Sequence, residues 1–105
     1  MLQHTLSPAD YQRAFSSRPV ELRFLRLPEL LARRGRSRSS HFRDVAAGLY
    51  PPPVTLGARC SGWPAHEADL VLRAQIAGAS PDEVRALVAQ LVAARAELMP
   101  PVEAA

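Results

Sequence analysis

Arginine is concentrated in one short stretch of the sequence. Four of its thirteen arginines, Arg33, Arg34, Arg36 and Arg38, lie within six consecutive positions, and Arg43 follows shortly after them. A guanidinium can donate two parallel hydrogen bonds to a phosphate or to the O6 and N7 atoms of guanine. The stretch therefore indicates contact with an anionic partner, and the alternative is a solvated helix face whose arginines serve solubility.

Only the first part of the chain has a positive net charge. Residues 1–62 hold ten arginines and four acidic residues, a net charge of +6, whereas residues 63–105 have a net charge of −3. A basic half next to an acidic half indicates that only the first contacts an anionic partner.

Composition narrows the possible classes of protein. A chain of 105 residues that is 48% hydrophobic predicts one small globular domain. Its single cysteine, Cys60, allows no intrachain disulfide, and we find neither a signal peptide nor a membrane span, so we expect a cytoplasmic protein. Because Cys60, His4, His41 and His66 lack metal-ligand spacing, and no catalytic motif is visible, we expect no metal, no cofactor and no enzymatic activity.

Capping signals predict two short helices around the arginines. Pro28 can open a helix that ends at Gly35, and Ser37 can cap a second helix that ends at Gly48. Their lengths and the short connection are typical of a helix-turn-helix. A short strand over residues 20–27 precedes them, and a loosely held arm at residues 1–20 contains a possible helix near residues 8–15.

The second half of the chain predicts a hairpin and two further helices. The stretches VTLG and ARCSGW are expected to form two strands that turn at Gly57 and Ala58. A third helix begins at Pro64 and ends at Gly78, and a fourth begins at Ser80, which stands in capping-box register with Glu83. The predicted fold is mainly α with a small β-hairpin wing, a winged helix-turn-helix at residues 21–78 followed by a C-terminal helix and a short tail at 79–105.

Several stretches of this sequence together resemble one known family. They are LRLPELL, SRSSHFRDVAAG, GLYPPPVTLGAR and the Gly62–Trp63 pair, in that order and at characteristic spacing. From residue 23 to about residue 77 the chain is similar to the AlpA family of prophage regulatory proteins. These are small winged helix-turn-helix proteins related in fold to MerR-type domains and phage excisionases. The resemblance implies binding to double-stranded DNA.

Two sets of DNA contacts follow if the helix near residues 38–47 enters the major groove. The expected base contacts share one side of that helix: Arg38, Ser39, Phe42 and Arg43. The expected phosphate contacts lie at the end of the first helix, in the turn, at the start of the second helix and at the hairpin tip: Arg33, Arg34, Arg36, Ser37, Ser40 and Arg59. Helix capping could instead explain one arginine of the turn, and Arg59 could be an ordinary exposed turn residue.

The remaining aromatic and aliphatic residues are assigned to packing. We expect Trp63, Phe24 and His41 to lie in the interior. The last helix has a heptad-like apolar seam that can either fold back on its own domain or pair with a second copy. We favour a homodimer, in which the seam residues form the interface: Val84, Leu87, Leu91 and Leu98.

Three functions are compatible with these features. The first is a sequence-specific DNA-binding transcriptional regulator. The second is an excisionase-like recombination directionality factor, which bends DNA at an attachment site and acts with an integrase. The third is a protein-interaction module in which the C-terminal helix is the active part. The domain sequence does not separate the first two, because both need the same contacts in the DNA groove.

Overall fold

The computed structural model describes residues 22–101 and consists of four helices and a small sheet. The elements in chain order are β1 (Phe24–Leu25), α1 (Leu27–Arg34), α2 (Arg38–Ala46), β2 (Val54–Gly57), β3 (Cys60–Pro64), α3 (Ala65–Ile76), α4 (Pro81–Ala94) and a 3₁₀ turn (Arg95–Leu98). The predicted arm at residues 1–20, with its helix near 8–15, lies outside the described residues. The predicted fold class, mainly α with a winged helix-turn-helix, is confirmed.

Local sequence signals explain the helix-turn-helix formed by α1 and α2. Gly35 adopts φ 67° and ψ 34°, and its N–H donates to the carbonyl of Leu31, which ends α1. The hydroxyl of Ser37 accepts a hydrogen bond from the N–H of Ser40 at 3.2 Å and so caps α2. The turn between the helices is therefore only three residues long, Gly35 to Ser37.

The wing is a hairpin joined by a short third strand. The strand order is β1-β3-β2, with both pairs antiparallel, and Leu25 pairs with Trp63. β1 is shorter than the predicted strand, because only two residues pair with β3. Gly62 leaves little room for a side chain, since an added Cβ would lie 3.2 Å from atoms of Leu56 and of Phe24 and would force a neighbour to shift. The glycine therefore lets two side chains approach across β3.

One continuous core joins the wing to the helices. Its buried residues come from β1, α1, the loop before the wing, β3, α3 and α4: Leu25, Leu30, Tyr50, Trp63, Ala68, Val71, Val84, Leu87, Val88 and Leu91. The indole of Trp63 is buried as expected, and its N–H donates to the carbonyl of Pro51 at 3.1 Å. Phe24 was expected inside but is 44% exposed. The side chain of Leu25 faces the core, and because successive residues of a strand point to opposite sides, the side chain of Phe24 faces solvent.

Helix α4 folds back on the domain and does not present a free seam. Its N-terminus has the predicted capping box between Ser80 and Glu83. Three residues assigned to a dimer interface, Val84, Leu87 and Leu91, are buried in the monomer's own core. That assignment is wrong for this fold, because a second copy could contact them only if α4 left its place. Of the four seam residues only Leu98 is exposed, at 56%.

A buried ion pair fastens the end of α4 to α3. The guanidinium of Arg95 donates to both carboxylate oxygens of Glu67, at 2.8 Å and 2.6 Å, and Glu67 is almost fully buried. Arg95 also donates to the carbonyl of Pro52 at 2.8 Å, in the loop before the wing. Along the part of the chain that the structure describes, no helix is long and apolar enough to cross a membrane.

Candidate nucleic-acid interface

The outer side of α2 presents the four residues predicted to contact bases. Arg38, Ser39, Phe42 and Arg43 are all exposed, whereas His41 on the opposite side is fully buried. Arg38 and Ser39 occupy the first turn of the helix, after the cap at Ser37. The structure therefore brings these four side chains together on one accessible face, and their contact with bases stays a prediction.

Ion pairing divides the arginines into two groups. Seven of those in residues 22–101 have a carboxylate within 4.0 Å: Arg23, Arg33, Arg34, Arg36, Arg73, Arg85 and Arg95. The remaining four have no such partner among the described residues: Arg26, Arg38, Arg43 and Arg59. Two of these four, Arg38 and Arg43, lie on the exposed side of α2. Uncompensated positive charge is thus present on the face predicted to enter a DNA groove.

Arg34 is buried, and its predicted phosphate contact is wrong. Its side chain is only 4% exposed and its guanidinium lies 2.9 Å from a carboxylate oxygen of Asp44. A second nitrogen lies 2.6 Å from Nδ1 of His41, and the guanidinium carbon lies 3.8 Å from the ring centroid of Tyr50. Arg34 therefore joins the end of α1 to α2 and to the loop that follows, and no groove-facing surface remains on it.

Arg33 and Arg36 are accessible but already paired. Arg36 donates from two nitrogens to both carboxylate oxygens of Asp44, at 3.2 Å and 3.0 Å, and its side chain is 43% exposed. Arg33 lies 3.3 Å from a carboxylate oxygen of Glu29. The Arg33–Glu29 pair is exposed and therefore weak, and Asp44 keeps Arg34 as its partner when Arg36 leaves. Either arginine can therefore exchange its carboxylate for a phosphate at small cost.

His41 is a packing residue, as expected. Its Nδ1 accepts from Arg34, which places the neutral ring's proton on Nε2. Burial, together with the charge of Arg34, lowers the pKa of His41 to about 4. Its ring makes edge contacts with Phe42, Tyr50 and Trp63 at centroid distances of 5.0, 5.2 and 4.9 Å. These contacts fix α2 against the loop and the wing.

The hairpin tip and the start of α1 carry the other two arginines that have no carboxylate partner within residues 22–101. Arg59 is exposed in the turn between β2 and β3, with φ 59°, an uncommon backbone conformation for a residue with a side chain. Arg26 is exposed at the N-cap of α1. The sequence analysis did not single out Arg26 as a possible DNA contact. Its nearest acidic residue in helical register is Glu29, which pairs with Arg23 and Arg33 instead.

Asp44 was also missed, although it organises the turn. It accepts hydrogen bonds from both Arg34 and Arg36. A signal was present, because Asp44 is the only acidic residue between Glu29 and Glu67 in a stretch rich in arginine. Such a lone carboxylate is the expected partner for an arginine that has to be buried.

Comparison with known proteins agrees with this geometry. Residues 23–70 match the model of a family described as prophage CP4-57 regulatory protein (AlpA). This segment is similar to the AlpA family. It contains β1, the helix-turn-helix, the wing and the first half of α3. The match confirms the resemblance seen in the sequence, and α4 lies outside the matched residues.

The chain is also similar to a phage protein. The chain is 38% identical over 56 residues to a protein of Enterobacteria phage P4 described as uncharacterized protein ORF88. The matched part covers 53% of this chain and 64% of that protein. No solved structure matches the chain significantly.

Proposed function

We propose that this AlpA-type protein is a sequence-specific DNA-binding transcriptional regulator. In this proposal α2 lies in the major groove, with Arg38, Ser39, Phe42 and Arg43 against the base edges. The observation that carries it is the pair of exposed arginines on α2, Arg38 and Arg43, which no carboxylate of the described residues neutralises. Every other arginine of the helix-turn-helix has a carboxylate partner.

Phosphate contacts hold the helix in register in this proposal. They come from Arg33 and Arg36 after exchange of their carboxylates, from the turn and first helical residues Ser37 and Ser40, and from Arg59 at the wing tip. Because the phosphate backbone is the same for every sequence, these residues supply affinity without discrimination. In this role the protein acts on DNA in the cytoplasm.

The test compares specific and random DNA. A preferred duplex is first selected from genomic fragments by gel shift, and affinities are then measured by fluorescence anisotropy at two salt concentrations. Arg38→Ala or Arg43→Ala should cost about 1–3 kcal/mol on the preferred duplex and leave random DNA nearly unchanged. Arg73→Ala is the charge-matched control, because Arg73 is exposed on α3 and paired with Asp69.

Phosphate contacts should behave differently in the same titrations. Arg33→Ala or Arg36→Ala should weaken specific and random duplexes together and lower the salt slope by about one unit. If Arg38→Ala and Arg43→Ala also weaken both duplexes equally, then α2 is not the recognition helix. Binding to no duplex at all would leave the protein-interaction module as the remaining function.

A recombination directionality factor is the alternative role. The phage origin of the relative favours a mobile-element context for either role. An excision factor would bend its site and would act with an integrase. Circularly permuted DNA fragments measure the bend, and a footprint at an attachment site rather than at a promoter would support this role over regulation.

Pairing of two copies on neighbouring half-sites is part of the proposal. Two half-sites double the contacted sequence, which a domain this small needs for specificity. Of the predicted seam, Leu98 is accessible, and the exposed Met99 follows it. Light scattering should give the mass of two copies on the selected duplex, and a single copy with and without DNA would contradict it.

A further inference from the structure

We propose that Phe42 and Arg38 together recognise a pyrimidine C5 methyl group beside a guanine. The preferred DNA site would then contain a thymine next to a guanine under the first turns of α2. This inference rests on the proposed function and adds to it the base chemistry that the helix face selects.

Phe42 is an aromatic side chain on the face of α2 that also carries Arg38, Ser39 and Arg43. It is 39% exposed, and its neighbours on the outer side of α2 are arginine and serine. The ring is also held in place. Its centroid lies 5.0 Å from that of His41, at an interplanar angle of 73°, and 6.3 Å from that of Trp63. The exposed part of the ring is therefore a preorganised apolar contact, which loses little entropy on binding.

The major groove offers one kind of apolar partner to such a ring. Thymine carries a C5 methyl group there, cytosine has only a C5 hydrogen at the same place, and the remaining groups are mainly hydrogen-bond donors and acceptors. 5-Methylcytosine carries the same methyl group. Covering the Phe42 ring with a donor or acceptor would leave that polar group without a partner, whereas covering it with a methyl group removes apolar surface from water.

Arg38 determines which base lies next to that methyl group. Its guanidinium carbon lies 5.6 Å from the ring centroid of Phe42, and the two residues are one helical turn apart. Successive base pairs are spaced about 3.4 Å apart, so both side chains can reach the same base pair or two adjacent ones. An arginine in the major groove pairs best with O6 and N7 of guanine. The juxtaposition therefore favours a thymine and a guanine within one step.

The experiment changes single atoms of the DNA and keeps the protein intact. The full chain selects its preferred duplex from a random pool, and each thymine is then replaced by uracil, which lacks only the methyl group. We expect one thymine whose replacement weakens binding about fourfold, the value for burial of one methyl-sized group. Replacing the adjacent guanine by 7-deazaguanine, which lacks N7, should weaken binding about tenfold.

Protein variants assign the methyl effect to Phe42. With Phe42→Ala the thymine and uracil duplexes should bind equally, whereas Phe42→Leu, which stays apolar, should keep a preference for thymine. Fluorescence of Trp63 on thermal unfolding shows whether each variant is folded at the assay temperature. At the same position a 5-methylcytosine pair should bind about fourfold more tightly than a cytosine pair, which separates the methyl group from the rest of the base.

Two results would overturn the inference in distinguishable ways. A selected duplex that binds equally well with uracil at every thymine, or a methyl effect that persists in folded Phe42→Ala, contradicts the role of Phe42 and leaves the proposed function intact. A pool from which no preferred duplex emerges contradicts sequence-specific binding itself, and the inference falls with it.

Discussion

Replacing Arg34 by alanine should lower the free energy of unfolding of the protein and leave the salt dependence of DNA binding unchanged. The side chain is buried and holds Asp44, His41 and Tyr50 at once. Breaking a buried pair costs about 3–5 kcal/mol, and a desolvated cation–π contact adds up to about 2 kcal/mol. Arg36 still neutralises Asp44 in the variant, which reduces the first figure. We therefore expect a loss of about 3–4 kcal/mol in the free energy of unfolding.

Arg36→Ala is the matched control, since it removes the neighbouring arginine from the same carboxylate. Because Arg36 is 43% exposed, its loss should cost at most about 1 kcal/mol. Guanidinium chloride unfolding can be followed by the fluorescence of Trp63, the only tryptophan, which lies 4.9 Å from His41. If Arg34→Ala is as stable as Arg36→Ala and instead lowers the salt slope of DNA binding, the structural role derived for Arg34 is refuted.

Three further predictions concern stability. The pKa of His41 is lowered to about 4 in the folded protein, so as the pH falls below 6.5 the unfolded chain takes up a proton before the folded one does. The free energy of unfolding should therefore drop by about 3 kcal/mol by pH 4. His41→Gln should lose most of this pH dependence in unfolding titrations. Arg95→Ala leaves the Glu67 carboxylate buried and unpaired and should lower the free energy of unfolding by about 3–5 kcal/mol. The double variant Glu67→Met with Arg95→Met should recover most of this loss, as measured in a double-mutant cycle. A chain ended after Gly78 lacks all of α4's core residues and should show no cooperative unfolding by circular dichroism, and a cooperative transition would contradict the shared core.

The sequence by itself determined the helix ends and the distribution of charge. Ser37, Gly35 and the pair Ser80 and Glu83 act on backbone groups within four residues of themselves, so their effect does not depend on the rest of the fold. The four residues of the outer α2 face could be grouped for the same reason, because helical periodicity alone puts them on one side.

Tertiary structure alone decided which arginines are free and which face of α4 is covered. Arg34 pairs with Asp44, ten positions further along the chain, and Arg95 pairs with Glu67, twenty-eight positions before it. Sequence spacing carries no information about such partners, because chain folding, not helical register, brings them together. The α4 seam was ambiguous for the same reason, since an apolar stripe packs equally well on its own domain or on a second copy. The structure shows that the stripe packs on its own domain, where it joins the core formed by the other elements.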